Sequence, residues 1–229
     1  MTSPNLSTLR EFTLPDARPL PLLLLLDASG SMAEHGKIEA VNNAIQDLLT
    51  TLANETSHRV GVHVGALAFG GKLRPHLDLM PAHQAVTAWR PLSAAGGTPM
   101  GATFDACHKL LEDRSLIPSR AYRPTLVLIS DGMPTDAWEA PLDALLKSPR
   151  AAKATRLAMG IGPDADTSML AQFVQNPEIP VFKASQAREI TRFFRWVTMS
   201  VVARSRSAAP DLVLPPPPPS LDDDDQIHY

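Results

Sequence analysis

An uninterrupted run of leucines at residues 22–26 ends abruptly at Asp27. A helix or strand with one exposed face would mix apolar and polar positions, so this run is typical of a strand buried on both faces of a parallel sheet. The wider stretch, residues 20–26, is interrupted by Pro21 and is far shorter than the roughly 20 residues that span a membrane. The run therefore predicts a core strand of an α/β domain.

The rest of the chain alternates between strand-like and helix-like patterns. Further strands are predicted at residues 59–69, 125–130, 156–161 and 179–182, with an antiparallel edge strand at residues 73–79 after the turn at Gly70 and Gly71. Helices are predicted at residues 38–52, 81–89, 99–111, 139–146, 168–174 and 190–201. This order predicts an α/β fold with a doubly wound, mostly parallel central sheet, one antiparallel edge strand and helices on both faces.

Charge and proline divide the 229 residues into three parts: a polar leader (1–16), a domain (17–204) and a tail (205–229). The tail holds six of the 22 prolines and has five aspartates against one arginine. Its net charge is therefore −4, and because residues 1–204 carry +1, the whole chain has a net charge of −3. We interpret residues 205–229 as a disordered, proline-rich acidic tail and favour a solvated segment over a docking peptide. The neutral domain argues against a nucleic-acid partner.

Cysteine content and the N-terminal residues bear on the compartment. Cys107 is the single cysteine, which excludes an internal disulfide and a thiolate-rich metal site. The apolar stretch at residues 20–26 follows acidic as well as basic residues, unlike the basic start of a signal peptide. We expect a cytoplasmic protein without a membrane segment.

Oxygen-bearing side chains follow the predicted strands at three places. Asp27, Ser29 and Ser31 come directly after the leucine run, Asp131 follows the strand at residues 125–130, and Thr98 follows Gly96 and Gly97 in a loop. Ligands of open α/β sheets bind at the carboxyl ends of the strands, so these side chains are expected at one edge. Carboxylate and hydroxyl oxygens suit Mg²⁺, with Mn²⁺ or Ca²⁺ as substitutes, better than they suit zinc or copper.

The five donors leave this predicted site incomplete. Mg²⁺ takes six oxygen ligands, and two carboxylates neutralise a divalent ion only when both bind directly. A metal with an open position attracts a further carboxylate. We therefore expect a non-catalytic module that binds an acidic residue of a partner protein.

The same residues resemble the metal-ion-dependent adhesion site (MIDAS) of von Willebrand factor type A domains. Asp27-Ala28-Ser29-Gly30-Ser31, Thr98 and Asp131 fill all five positions of that motif in order, and the resemblance covers about residues 17–204. It implies that Ser29, Ser31 and Thr98 coordinate the metal directly, and that Asp27 and Asp131 do so directly or through water. It also implies that Thr98 responds to the ligand-bound state.

Within that family, two stretches look like the bacterial TerY-type group. These are Leu25-Leu26-Asp27-Ala28-Ser29-Gly30-Ser31-Met32 and Ile129-Ser130-Asp131-Gly132-Met133-Pro134-Thr135-Asp136-Ala137-Trp138. The group is linked with tellurite resistance and with kinase and phosphatase partners. The resemblance therefore implies a bacterial stress or signalling complex with a kinase or phosphatase partner.

Other interpretations use the same residues. A metal-dependent hydrolase or phosphatase could employ Asp27 and Asp131, but it lacks an evident general base such as a nearby histidine or lysine. Taken singly, Ser130, Thr135 and Asp136 are ordinary turn or helix-capping residues. The acidic tail, through residues 222–225, could itself dock to the metal site of its own or a neighbouring molecule.

Overall fold

The structure, a computed structural model, describes residues 17–55, 57 and 59–218. Its strands are β1 (Arg18–Asp27), β2 (Val60–Gly70), β3 (Lys72–Pro81), β4 (Thr125–Ser130), β5 (Thr155–Ile161) and β6 (Phe182–Ala184). Its helices are α1 (Lys37–Ala53), α2 (Ala82–Ala88), α3 (Met100–Glu112), α4 (Glu139–Lys147), α5 (Thr167–Val174) and α6 (Ala187–Arg206). Short 3₁₀ segments occur at Gly30–Gly36, Ala151–Lys153 and Pro210–Leu212.

The strands form one six-stranded sheet in the order β3-β2-β1-β4-β5-β6. β3 runs antiparallel to β2, and the other neighbours are parallel. The order reverses direction between β1 and β4, which is where open α/β sheets leave a crevice for ligands. The predicted doubly wound fold with one antiparallel edge strand is confirmed.

The leucine run occupies the centre of the sheet because its side chains face two apolar layers. Leu22, Leu24 and Leu26 pack on the side of α1 and α6, whereas Leu23 and Leu25 pack on the side of α3, α4 and α5. Successive strand residues point to opposite faces, so a strand covered on both sides has no position for a polar residue. The end of the apolar run therefore marks the edge of the core.

Two local elements differ from their sequence predictions. β6 begins at Phe182 rather than at residue 179, and Pro180, just before it, has no amide hydrogen to donate to β5. The segment between the first predicted strand and the helix predicted at residues 38–52, for which no regular structure was predicted, contains the 3₁₀ segment Gly30–Gly36, which is interrupted by non-helical backbone at Glu34 and His35.

The predicted tail starts within the last helix, since α6 continues to Arg206. Residues 207–218 are also described, and they contact the domain through Asp211 and Pro216. The leader (1–16) and the predicted metal-docking residues 222–225 lie outside the described residues. No helix within the described residues has the length and apolarity needed to cross a membrane.

Candidate metal centre

The pairing of β1 with β4 brings the two predicted carboxylates to the same edge of the sheet. Leu26 lies opposite Ile129, so Asp27 at the end of β1 is beside Ser130, and Asp131 follows directly. Asp27 and Asp131 are both almost fully buried. The carboxyl edge of two central strands therefore forms the floor of the candidate site.

The loop before Thr98 is held against this floor by backbone hydrogen bonds. Gly30 N donates to Gly96 O at 2.8 Å, and Ala95 N donates to Ala28 O at 2.8 Å. This approach requires glycine at Gly96, which has φ of +77° and where a Cβ would lie 2.4 Å from Gly71 Cα. The glycines of the β2–β3 turn and of the Thr98 loop thus allow three chain segments to meet.

Three of the predicted ligands are in direct contact with one another. Ser31 Oγ donates to Asp131 Oδ1 at 2.7 Å, and Ser29 Oγ lies 3.4 Å from the same oxygen. The hydroxyls of Ser29 and Ser31 are 3.1 Å apart. These three oxygens form a compact triangle above the ends of β1 and β4.

Asp27 lies beside this triangle and is held from two sides. Its Oδ2 accepts a 2.6 Å hydrogen bond from Ser130 Oγ, and its Oδ1 accepts a 2.8 Å hydrogen bond from Ser29 N. Burial raises the pKa of Asp27 above its usual value, and the hydrogen bonds from Ser130 and Ser29 act in the opposite direction. A cation beside Asp27 would further favour the ionised carboxylate.

Thr98 lies in the loop that approaches Gly132, the residue after Asp131. It is buried, its amide donates to Thr135 Oγ1 at 3.0 Å, and its carbonyl accepts from the amides of Met100 and Thr135. A Cβ added to Gly132 would lie 3.9 Å from Thr98 Oγ1, so the hydroxyl is close to the residue that follows Asp131. All five predicted ligands are therefore at one edge of the sheet.

The spacing of the contacting oxygens fits a small octahedral cation. Bonds of about 2.1 Å at right angles place neighbouring ligand oxygens about 3.0 Å apart, and the observed separations within the triangle are 2.7, 3.1 and 3.4 Å. No group of three or more histidine, cysteine, aspartate or glutamate side chains among the described residues could hold a metal. A metal site at this edge would therefore need ligands besides carboxylates, and the role of the five residues as ligands stays a prediction.

The structure gives roles to three residues that the sequence suggested only as turn or capping residues. Ser130 binds Asp27, and Thr135 binds the amide of Thr98. Asp136 accepts from the amides of Gly101 and Ala102 at the start of α3. Asp136 therefore does cap a helix, but one that is distant in the sequence. For the contact of Ser130 with Asp27, the available sequence signal was the position of both residues at the ends of predicted strands.

Lys37 was missed by sequence reasoning. Its Nζ donates to Asp131 Oδ2 at 2.7 Å and to Ser31 O at 3.3 Å. No sequence signal indicated this contact, because the helix was predicted to begin at residue 38 and the ion pair depends on the path of the turn before α1. The argument above that a hydrolase would lack a nearby lysine is therefore wrong. The Lys37 ammonium nevertheless donates its hydrogen bonds to acceptors and does not offer a free base.

Comparison with known proteins gives a family match. The family model for the von Willebrand factor type A domain matches residues 22–196. No match is found among curated proteins.

Solved structures share the fold at low sequence identity. A von Willebrand factor type A protein from Catenulispora acidiphila has a TM-score of 0.66 and 23% identity over 82% of this chain and 43% of its own. The pilus adhesin SpaC from Lactobacillus rhamnosus GG has a TM-score of 0.66 and 16% identity over 81% of this chain and 31% of its own. Proximal thread matrix protein 1 from the mussel byssus, with a zinc-occupied MIDAS motif, has a TM-score of 0.62 and 14% identity over 82% of this chain and 48% of its own. The chain thus spans less than half the length of these three proteins.

Proposed function

The chain belongs to the von Willebrand factor type A domain family, and on that premise we propose that it is a metal-dependent protein-binding module. Domains of this family are often metal-dependent and mediate protein interactions. In this proposal Asp27, Ser29, Ser31, Thr98 and Asp131 hold Mg²⁺, and an acidic residue of a partner protein completes its coordination. The module itself has no catalytic role.

The observation that supports this proposal most strongly is the triangle of Ser29, Ser31 and Asp131 oxygens. Its edges of 2.7–3.4 Å match the edges of a magnesium octahedron, and it lies at the crevice where the strand order reverses. Ser31 is exposed while the other four predicted ligands are buried. A partner could therefore approach the metal from the side of Ser31.

The metal and the partner are part of the proposal. Oxygen-only ligands favour Mg²⁺ or Mn²⁺, whereas the mussel protein with the zinc-occupied site supports a wider choice of divalent ions in this fold. By resemblance to the TerY-type group, the partner is a kinase or phosphatase in a bacterial stress or signalling complex in the cytoplasm. Its recognition element would be an exposed aspartate or glutamate.

Metal titration of the purified chain tests the site. We expect one Mg²⁺ or Mn²⁺ per chain by calorimetry, a loss of at least tenfold in affinity for Ser31→Ala, and a larger loss for Asp27→Ala, because each removes an oxygen ligand. Asp143→Ala is the matched control, since Asp143 is an exposed residue of α4 that pairs with Lys147. Equal affinities in all four proteins would refute the site.

Partner binding is tested separately, by affinity capture from the native cell extract with Mg²⁺ and with EDTA. We expect an acidic-surfaced partner to be retained only with Mg²⁺ and to be lost with Asp27→Ala. Retention unaffected by EDTA would rule out the metal as the attachment point while leaving the metal site itself intact.

A further inference from the structure

Lys37 enters the candidate site because of an unusual turn before α1. His35 and Gly36 both have positive φ, of 54° and 70°, and reverse the chain so that α1 begins at Lys37. The dipole of α1 disfavours a cation at this position. The side chain instead extends back over the site, toward Asp131.

The ammonium group of Lys37 is held inside the site rather than in solvent. It lies 2.7 Å from Asp131 Oδ2, while Oδ1 of the same carboxylate accepts from Ser31. The side chain of Lys37 is 16% exposed and that of Asp131 is fully buried. Lys37 thus fixes the direction of Asp131 and leaves Oδ1 toward the serine hydroxyls.

The ammonium also changes the charge of the site. Asp27 and Asp131 together carry −2, and Lys37 reduces this to −1. With a divalent cation bound, these groups would carry a net charge of +1 even if both carboxylates were ligands. A neutral or cationic ligand would leave this buried charge uncompensated, whereas a carboxylate would balance it.

Building on the proposed function, we propose that Lys37 sets the selectivity of the site: it weakens binding of the cation and strengthens binding of the partner's carboxylate. Repulsion between the ammonium and the metal lowers the affinity for the metal alone. The same positive charge attracts the anionic side chain that completes the coordination. Lys37 is thus a positioning and selectivity residue.

A cleft also borders Lys37, although none of the five predicted metal ligands lines it. The cleft, of about 240 Å³, lies between the start of α1, the end of β5 and the start of α6. Lys37 lines it together with Gly162, where a Cβ would lie 3.9 Å from Lys37 Nζ. Glu34 and Asp164 line the same cleft, and they disfavour an anion there unless Lys37 and the metal supply compensating charge.

The test uses the full chain with Mn²⁺, whose bound water is followed by water-proton relaxation, and acetate as the probe for a carboxylate. Lys37→Met removes the charge at similar length, and Lys37→Arg keeps it. Lys147→Met is the matched control, because it removes a lysine from an exposed ion pair on α4. Lys37→Gln is a second neutral variant. Together with a thermal unfolding curve of each protein, it shows whether a change in binding comes from a folding defect that methionine causes.

For Lys37→Met we expect Mn²⁺ to bind about tenfold more tightly, the size of repulsion by a unit charge a few ångströms away in a water-like medium. We expect acetate to displace metal-bound water about threefold less effectively, because the interaction with a single negative charge has the opposite sign and about half the size. Lys147→Met should behave like the unmodified chain, and Lys37→Arg, which keeps the charge, should shift both measurements less than Lys37→Met does. The two opposite shifts in one variant distinguish a charge effect from a general loss of the site.

Three results would overturn the inference. If Lys37→Met weakens both Mn²⁺ and acetate, Lys37 only supports the structure; if it changes neither, its charge is irrelevant to binding. If the unmodified chain binds no Mn²⁺ at all, the proposed function fails together with the inference. If the unmodified chain binds Mn²⁺ normally and the Lys37 variants have the same affinities for Mn²⁺ and acetate, only the inference is overturned.

Discussion

At the scale of single residues, the serines near the site have different roles although the sequence gives them similar surroundings. Ser29 and Ser31 turn their hydroxyls toward Asp131, whereas Ser130 donates to Asp27. Ser130 and Asp27 are both buried, so the 2.6 Å hydrogen bond has little competition from water. We regard Ser130 as the residue that orients Asp27.

We predict that Ser130→Ala lowers the free energy of unfolding by about 1–3 kcal/mol, because a buried carboxylate oxygen loses its hydrogen-bond partner. Urea unfolding with EDTA present measures this effect without a contribution from metal binding. Mg²⁺ affinity should also fall, since Asp27 is no longer oriented.

Ser200→Ala provides the comparison for this prediction. Ser200 is also buried, but its hydroxyl donates to Trp196 O in its own helix, so its removal leaves no buried charge unpaired. We expect a smaller loss of stability and unchanged metal affinity. Equal effects of the two substitutions would show that the Ser130–Asp27 hydrogen bond has no special importance.

At the scale of secondary-structure elements, α3 depends on a residue far away in sequence. Its capping position is occupied by Pro99, whose side chain makes no capping hydrogen bond. Asp136, in the loop after β4, accepts from Gly101 N at 2.8 Å and from Ala102 N at 3.0 Å. One carboxylate thus satisfies two free amides at the start of α3 and joins the loops that carry Thr98 and Asp131.

We predict that Asp136→Ala lowers the free energy of unfolding by about 1 kcal/mol, the usual value for loss of a capping side chain. Asp136→Asn should cause a smaller loss, because it keeps one acceptor oxygen but not the charge that suits a helix N-terminus. Chemical denaturation of the two variants measures the difference. A loss as large for Asn as for Ala would contradict a capping role.

At the scale of the whole molecule, the chain turns back along the sheet after α6. Arg204 is buried and donates to Thr125 Oγ1 at 2.7 Å and to Pro210 O at 3.0 Å. Asp211 lies 3.3 Å from Arg204 Nη2 and accepts from Arg123 N at 2.8 Å. These contacts fix the turn below the amino ends of β4 and β5.

From that turn the chain runs toward the edge that carries the candidate site. Residues 213–215 line a cleft with Thr155 and Arg156 at the start of β5, and Pro216 O accepts from Trp196 Nε1 at 2.8 Å. From Trp196 to the start of α6 is about 14 Å at 1.5 Å per residue. An extended chain gains at most about 3.3–3.6 Å per residue, so the number of residues between Pro216 and residue 222 is compatible with residues 222–225 reaching this edge.

If residues 222–225 dock to the metal site, truncation after Pro218 raises the affinity of the Mn²⁺-loaded protein for acetate several-fold, whereas the solvated tail that the composition favours predicts no change. Tethered aspartates compete with an added carboxylate at an effective concentration in the millimolar range. Replacing residues 222–225 by asparagine is the matched control for length and should have the same effect as truncation. Unchanged affinity in both variants would instead support a solvated tail.

The sequence by itself determined the fold class and the residue types of the candidate site. The leucine run required a strand covered on both faces, and the helical periodicities required the layers that cover it. The predicted ligands were accessible to sequence reasoning because carboxyl ends of parallel strands share one edge, so residues directly after the apolar runs converge. These inferences depend on local pattern and on topology alone.

Only the tertiary structure decided how the site is supported. Asp136 caps α3, Ser130 binds Asp27, and Lys37 pairs with Asp131 through contacts between segments 35 to 103 residues apart. Such contacts depend on loop paths and side-chain reach that no periodicity encodes. The turn at Arg204 belongs to the same class: from composition alone residues 205–218 are simply proline-rich, and it is the buried guanidinium that gives Asp211 a place in the fold.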